Sequence, residues 1–143
     1  EGVRHFDPAY FRLQPYKAFT AGASGSGFWS FADIGSANTS WNPYLMPSGY
    51  NYSPVYISPD SITTAKQFEA IREGIEDFYY LLTLKASGEE DYSFNLATSV
   101  LTRAVRKGGN NYWKTWQNNY SACTAGEKMR LEILNRLEKK SAK

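Results

Sequence analysis

The adjacent carboxylates Glu76 and Asp77 are residues whose types and spacing could serve as a general acid and a general base. That chemistry would need both groups to face one substrate. The pair falls inside a strongly amphipathic helical pattern, in which consecutive side chains diverge by about 100°. Arg72 stands four residues before Glu76, which is the spacing of a helical ion pair. We therefore predict a structural role for both carboxylates.

Aromatic residues make up 16% of the chain, including eleven Tyr and four Trp. Sugars have flat apolar faces and a rim of hydroxyls, and they suit an aromatic surface. Aromatic side chains also dominate ordinary protein cores, where they bury large areas. The composition alone leaves both interpretations open.

Composition argues against several other kinds of site. A single cysteine, Cys123, cannot form an internal disulfide, and with His5 as the only histidine we expect neither a metal cluster nor a cofactor. The net charge of +2 is too small to indicate nucleic acid or acidic lipid as a partner. No apolar run of about 18 residues occurs, so no membrane span is predicted.

The elements that would position these residues begin with a helix over residues 7–22. Asp7 is a candidate N-cap, and Pro8 suits the first helical position. Pro15 should kink the helix or split it into two turns, and Gly22 suits its end.

Gly27 to Asp33 is predicted to be a strand, because it is rich in aromatics and bounded by glycine. It is apolar on both faces, which favours a buried strand of a parallel sheet. Such a strand needs neighbours on both sides, and the chain offers only one other short candidate, Pro54 to Ile57. Between them, residues 34–53 form a loop without periodicity, whose aromatic residues argue against disorder.

Ser61 to Leu84 is predicted to be an amphipathic helix, capped by Asp60 or Ser61. Its apolar face comprises Phe68, Ile71, Ile75, Phe78 and Leu82. Glu69 and Glu73 stand at i,i+4 and should repel each other. Glycine inside a helix costs about 1 kcal/mol relative to alanine, so Gly74 predicts another element packed closely against that turn.

The C-terminal part of the chain is predicted to be helical. Helices are expected over Asp91 to Val105 and Tyr112 to Tyr120. Thr124 to Glu127 should form a capping box in front of a last helix that carries Leu131, Leu134 and Leu137.

Two stretches together resemble a known family. They are GFWSFADIGSANTSWNPY, residues 27–44, and the helix QFEAIREGIEDFYYLLTL, residues 67–84, which follows PVYISPDSI. This combination is similar to the closing segment of bacterial glycoside hydrolase family 123 proteins. In that family a last strand leads into a Trp-Asn loop, and a helix reading approximately R-x-E-A-L-R-x-G-I-E-D-Y-E-Y-L follows. The resemblance covers about residues 8–86.

The resemblance implies an α/β fold, the (β/α)8 barrel, of which residues 1–86 would be the last helix–strand–helix units. Residues 87–143 would be a helical C-terminal extension. A whole barrel takes about 250 residues, so this chain would be one piece of a longer polypeptide. Its N-terminal remainder would then be a partner of this chain.

The resemblance also implies where a glycan would bind. Active sites of such barrels lie at the carboxyl ends of the strands, so the loop after the predicted strand would overhang the pocket. Aromatic side chains there would stack on a sugar, and polar ones would bind its hydroxyls. The candidate substrate-binding residues are Trp29, Asp33, Asn38, Trp41, Asn42 and Tyr44. The family's catalytic pair of adjacent carboxylates lies upstream of the matched region.

The function that the resemblance implies is the C-terminal portion of a glycoside hydrolase acting on N-acetylhexosamine-containing glycans. On this interpretation the chain contributes substrate-binding loop residues, lacks the catalytic carboxylates and is inactive alone. Export to the periplasm or the outside of the cell would fit a glycan-degrading role. The alternative is a non-catalytic helical module that binds carbohydrate or acts as a scaffold.

Overall fold

The computed structural model describes residues 4–5, 8–27, 32, 50–51, 54–105 and 120–142. The helices within these residues are α1 (Pro8–Thr20), α2 (Lys66–Ala86), α3 (Glu90–Val105) and α4 (Tyr120–Ser141). The strands are β1 (Arg4–His5), β2 (Tyr50–Asn51), β3 (Val55–Ile57) and β4 (Ile62–Thr64). β1 pairs with β2 in parallel, and β3 pairs with β4 in an antiparallel hairpin.

The predicted fold class, part of a (β/α)8 barrel, is wrong for the part of the chain that the structure describes. The described elements are mostly helical, and their strands are only two or three residues long. In a barrel, α1 and α2 would both cover a parallel sheet. Among the described residues they pack on each other, and α3 and α4 contribute to the same hydrophobic core. The predicted strand at 27–33 lies mostly outside the described residues.

Helix α1 begins at Pro8 and ends before Gly22, which confirms the predicted boundaries. It continues through Pro15 as one helix, not as two separate turns. At its end, the Gly22 N–H donates to the Phe19 carbonyl at 3.0 Å, and the Ala23 N–H donates to the Ala18 carbonyl at 2.9 Å. Gly22 has a φ of +73°. This is a Schellman motif, in which glycine takes the left-handed conformation that other residues avoid.

Gly22→Ala should therefore lower the free energy of unfolding by about 1 kcal/mol, because the left-handed conformation is costly for any residue with a Cβ. A Cβ at Gly22 would meet no atom within 4 Å, so the cost is purely conformational. Gly25 also has open space around it but no positive φ, so Gly25→Ala is the matched control. Urea unfolding should show Gly25→Ala unchanged or more stable. Equal losses in both variants would contradict the assignment.

Helix α2 begins at Lys66, five residues later than predicted. Ile62, Thr63 and Thr64 form strand β4 instead, which is consistent with their β-branched side chains. The turn before it is closed by the Ser58 N–H, which donates to the Ser61 carbonyl at 2.8 Å. The predicted caps are therefore wrong. Ala65 is the N-cap, and it makes no side-chain capping bond.

The hydrophobic core of the described residues receives side chains from all four helices. The large fully buried ones include Leu13 and Tyr16 of α1, Leu81 and Leu84 of α2, and Met129 of α4. α3 contributes Leu96, Ala97 and Val100. Residues from both sides of position 87 therefore share one core.

The buried face of α2 differs from the predicted one. Its buried residues are Ala70, Gly74, Asp77, Leu81 and Leu84. The predicted face is only partly covered, and Ile75 and Leu82 are exposed at 44% and 37%. Small residues let two helix backbones approach closely, so α2 meets α1 through Ala70 and Gly74 and leaves its bulkier side chains beside the contact.

Candidate functional site

The six predicted substrate-binding residues lie outside the described part of the chain. They are Trp29, Asp33, Asn38, Trp41, Asn42 and Tyr44. The structure therefore does not bring them together or separate them, and their sugar-binding role stays a prediction.

The most concentrated chemistry among the described residues is a buried charge cluster centred on Asp77, whose side chain is fully buried. Arg12 of α1 is 5% exposed, and its guanidinium donates two hydrogen bonds to the Asp77 carboxylate. Arg12 Nε donates to Asp77 Oδ2 at 2.8 Å, and Nη2 donates to Oδ1 at 3.3 Å. A planar guanidinium matches a carboxylate in this two-donor geometry.

Arg130 of α4 reaches the same carboxylate from the other side. Its Nε donates to Asp77 Oδ1, and its Nη2 donates to the Glu73 backbone carbonyl at 2.8 Å. The same nitrogen also lies 2.8 Å from Glu73 Oε2. Asp77 thus connects α1, α2 and α4 through two arginines. We call Arg12, Glu73, Asp77, Glu127 and Arg130 the Asp77 cluster.

Two glycines make room for Arg12. A Cβ at Gly74 would lie 2.4 Å from the Arg12 backbone oxygen, which confirms the prediction that another element packs closely there. A Cβ at Gly126 would lie 2.8 Å from Arg12 Nη2. One glycine therefore lets the α1 backbone approach α2, and the other admits the guanidinium beside α4.

The predicted capping box at Thr124 to Glu127 is wrong, because α4 begins earlier, at Tyr120, and this segment is inside the helix. Glu127 accepts a hydrogen bond from Arg12 Nη2 at 2.9 Å, a contact between residues 115 positions apart. Within this segment, Glu127 forms an ion pair with Arg12, and Gly126 leaves space for the Arg12 guanidinium.

The surroundings of Arg12 and Arg130 raise the pKa of both guanidinium groups. Burial works to lower the pKa of Arg12, but Asp77 and Glu127 together outweigh it and hold that pKa above its ordinary value. Burial raises the pKa of the neighbouring Tyr16 hydroxyl, and the Asp77 carboxylate raises it further. Both arginines therefore stay charged, and Tyr16 stays neutral.

The two adjacent carboxylates face different surroundings. Glu76 is half-exposed and is bound by Arg72, which confirms the predicted i,i+4 ion pair. The predicted repulsion between Glu69 and Glu73 is offset, because Arg72 also pairs with both of them, at 3.0 Å and 2.7 Å. Asp77 accepts from two arginines and has no exposed surface, so no substrate can reach it. Asp77 therefore holds helices together, whereas the shortest ion pair of Glu76 is with an arginine of its own helix.

The sequence patterns did not indicate that Arg12, Arg130 and Glu127 belong to the cluster. The available signal at Arg12 was a charged residue between Phe11 and Leu13, both of which are buried. No local pattern indicated Arg130, because its partner Asp77 is 53 residues away.

A second ionic contact joins the end of α4 to the junction of α2 and α3. Glu89 accepts a hydrogen bond from Arg136 at 2.8 Å, and Lys140 lies 3.2 Å from it. Lys140 also donates to the Ser87 carbonyl at 2.6 Å. The hydrogen bonds from Arg136 and Lys140 lower the pKa of Glu89.

Glu89→Gln should reduce stability at pH 7 and have less effect in acid. A carboxylate whose pKa is lowered by folding stabilises the protein above its unfolded pKa of about 4.3, and that contribution is lost as pH falls through the folded pKa. Thermal unfolding between pH 7 and pH 3 should show the two melting curves converging. Glu90→Gln, at a neighbouring exposed carboxylate, is the control. A difference that stays constant over this pH range would contradict the prediction.

An apolar groove runs between α1, α2 and α3. Its lining includes Phe19, Phe78, Leu82 and Phe94, with Lys85 and Glu90 beside them. A separate, neighbouring cavity shares Ser24 and Phe78 with it and is also lined by Ile75. Phe19 and Phe78 meet edge to face with ring centroids 5.8 Å apart. Phe94 is 46% exposed. The groove contains the bulky residues that the α1–α2 contact leaves uncovered.

Within the described ranges, neither a metal cluster nor a membrane-spanning helix is present. No cluster there of three or more His, Cys, Asp or Glu side chains could hold a metal ion. No described helix combines the length and apolar character that crossing a membrane requires. Comparison of the chain with known protein families, curated proteins and solved structures finds no match.

Proposed function

We propose that this chain is a non-catalytic helical module of a glycoside hydrolase that acts on N-acetylhexosamine-containing glycans. Its helices act as a scaffold, and the aromatic segment before them contributes sugar-binding side chains. The observation that supports a non-catalytic role is the burial of Asp77. Its side chain is inaccessible to solvent and accepts hydrogen bonds from two arginines.

Residues 72–77 are part of the second stretch that carries the family resemblance, and most of them have a structural role. Arg72 pairs with acids on its own helix, while Glu73 and Asp77 bind Arg130. Gly74 receives the α1 backbone. A specific order of charged and glycine residues is therefore needed for helix packing alone, and this supports a scaffold role for the motif.

The partners that this proposal implies are the glycan and the remainder of a longer polypeptide that bears the catalytic carboxylates. Export from the cell is part of the same proposal, since such glycans are found outside the cytoplasm. The sugar-binding part of the proposal depends on the residues from Trp29 to Tyr44, where aromatic and amide side chains are interspersed with small ones.

Trp41→Ala should weaken the binding of N-acetylhexosamine oligosaccharides about tenfold, because it removes the apolar face on which a sugar ring would stack. Trp41→Phe should keep most of the affinity, since an aromatic face remains. Isothermal titration of the chain with chito-oligosaccharides measures both. Tyr79→Ala is the control, because Tyr79 is an aromatic residue 64% exposed on α2. Unchanged affinity in Trp41→Ala, or an equal loss in Tyr79→Ala, would contradict the sugar-binding role.

The second candidate is a helical scaffold module without a carbohydrate function. The observation that favours it is the large hydrophobic core of the described residues, to which α1, α2, α3 and α4 all contribute. The same titration separates the two candidates when combined with a thermal melt of residues 1–143. A cooperative melt without glycan binding would favour the scaffold, whereas a cooperative melt with binding would favour the glycan-binding module.

A further inference from the structure

We draw no further inference here: the strongest candidate, the apolar groove between α1, α2 and α3 that is lined by Phe19, Phe78, Leu82 and Phe94, carries none because nothing in the structure shows what covers it.

Discussion

Asp77→Asn should lower the free energy of unfolding by about 3 kcal/mol, the lower end of the cost of breaking a buried ion pair, because both arginines lose their fully buried carboxylate and keep only partly exposed ones. Arg12 and Arg130 have side chains only 6% and 15% exposed, so water is a poor replacement for the lost carboxylate. The substitution preserves the size and shape of the side chain, and the effect therefore reports charge and hydrogen bonding. Urea unfolding at pH 7 measures it.

Glu76→Gln is the matched control for Asp77→Asn. It is the neighbouring carboxylate, and it also pairs with arginine, but its side chain is 42% exposed. Exposed ion pairs contribute about 0.2–1 kcal/mol, so Glu76→Gln should change stability by less than about 1 kcal/mol. If the two variants lose equal stability, Asp77 is not the central charge of the cluster.

Gly74→Ala should also destabilise the protein, against the gain of about 1 kcal/mol that helix propensity predicts for alanine. The new Cβ would lie 2.4 Å from the Arg12 backbone oxygen, and a backbone atom cannot turn away as a side chain can. α1 and α2 must therefore separate, and overpacking of this kind typically costs about 1–3 kcal/mol. Gly74→Leu should cost more than Gly74→Ala. Thermal or urea unfolding of both variants gives the order.

Gly126→Ala provides the comparison for Gly74→Ala. Its Cβ would lie 2.8 Å from Arg12 Nη2, so the guanidinium must shift within its cluster, but the end of a side chain moves at lower cost than a backbone atom. The loss should be smaller than at Gly74. A variant of Gly74 that melts at or above the native temperature would contradict the close approach of α1 and α2.

Local features of the chain were predictable where the physics is local. Pro8 and Gly22 act on the backbone within one helical turn, and they correctly bound α1. The apolar spacing over α3 predicted its end at Val105 and placed its start within one residue. Gly74 predicted a close contact because glycine destabilises the middle of a helix, and close packing of another backbone against it offsets that loss.

The prediction of a barrel was wrong because it was based on one helix motif and one predicted buried strand. The motif fits a helix that packs on other helices as well as it fits a barrel helix, since Gly74 and Asp77 serve helix–helix contact here. The spacing of apolar residues shows that α2 is amphipathic. It does not show whether the helix buries a face of small residues or a face of large ones. The close approach of α1 selected the small face.

The sequence by itself determined that α1, α2, α3 and α4 are helical and where α1 is bounded, because proline position, glycine and apolar period act between near neighbours. The predicted starts of α2 and α4 were wrong, because their capping patterns lie outside or inside the helices that form. The tertiary structure alone decided what the charged residues do. Asp77 binds Arg12, which is 65 positions away in the sequence, and Arg130, which is 53 positions away. Glu127 binds Arg12 at a separation of 115 positions. Such pairs depend on how the helices pack, and nothing in the local pattern of either partner encodes the other.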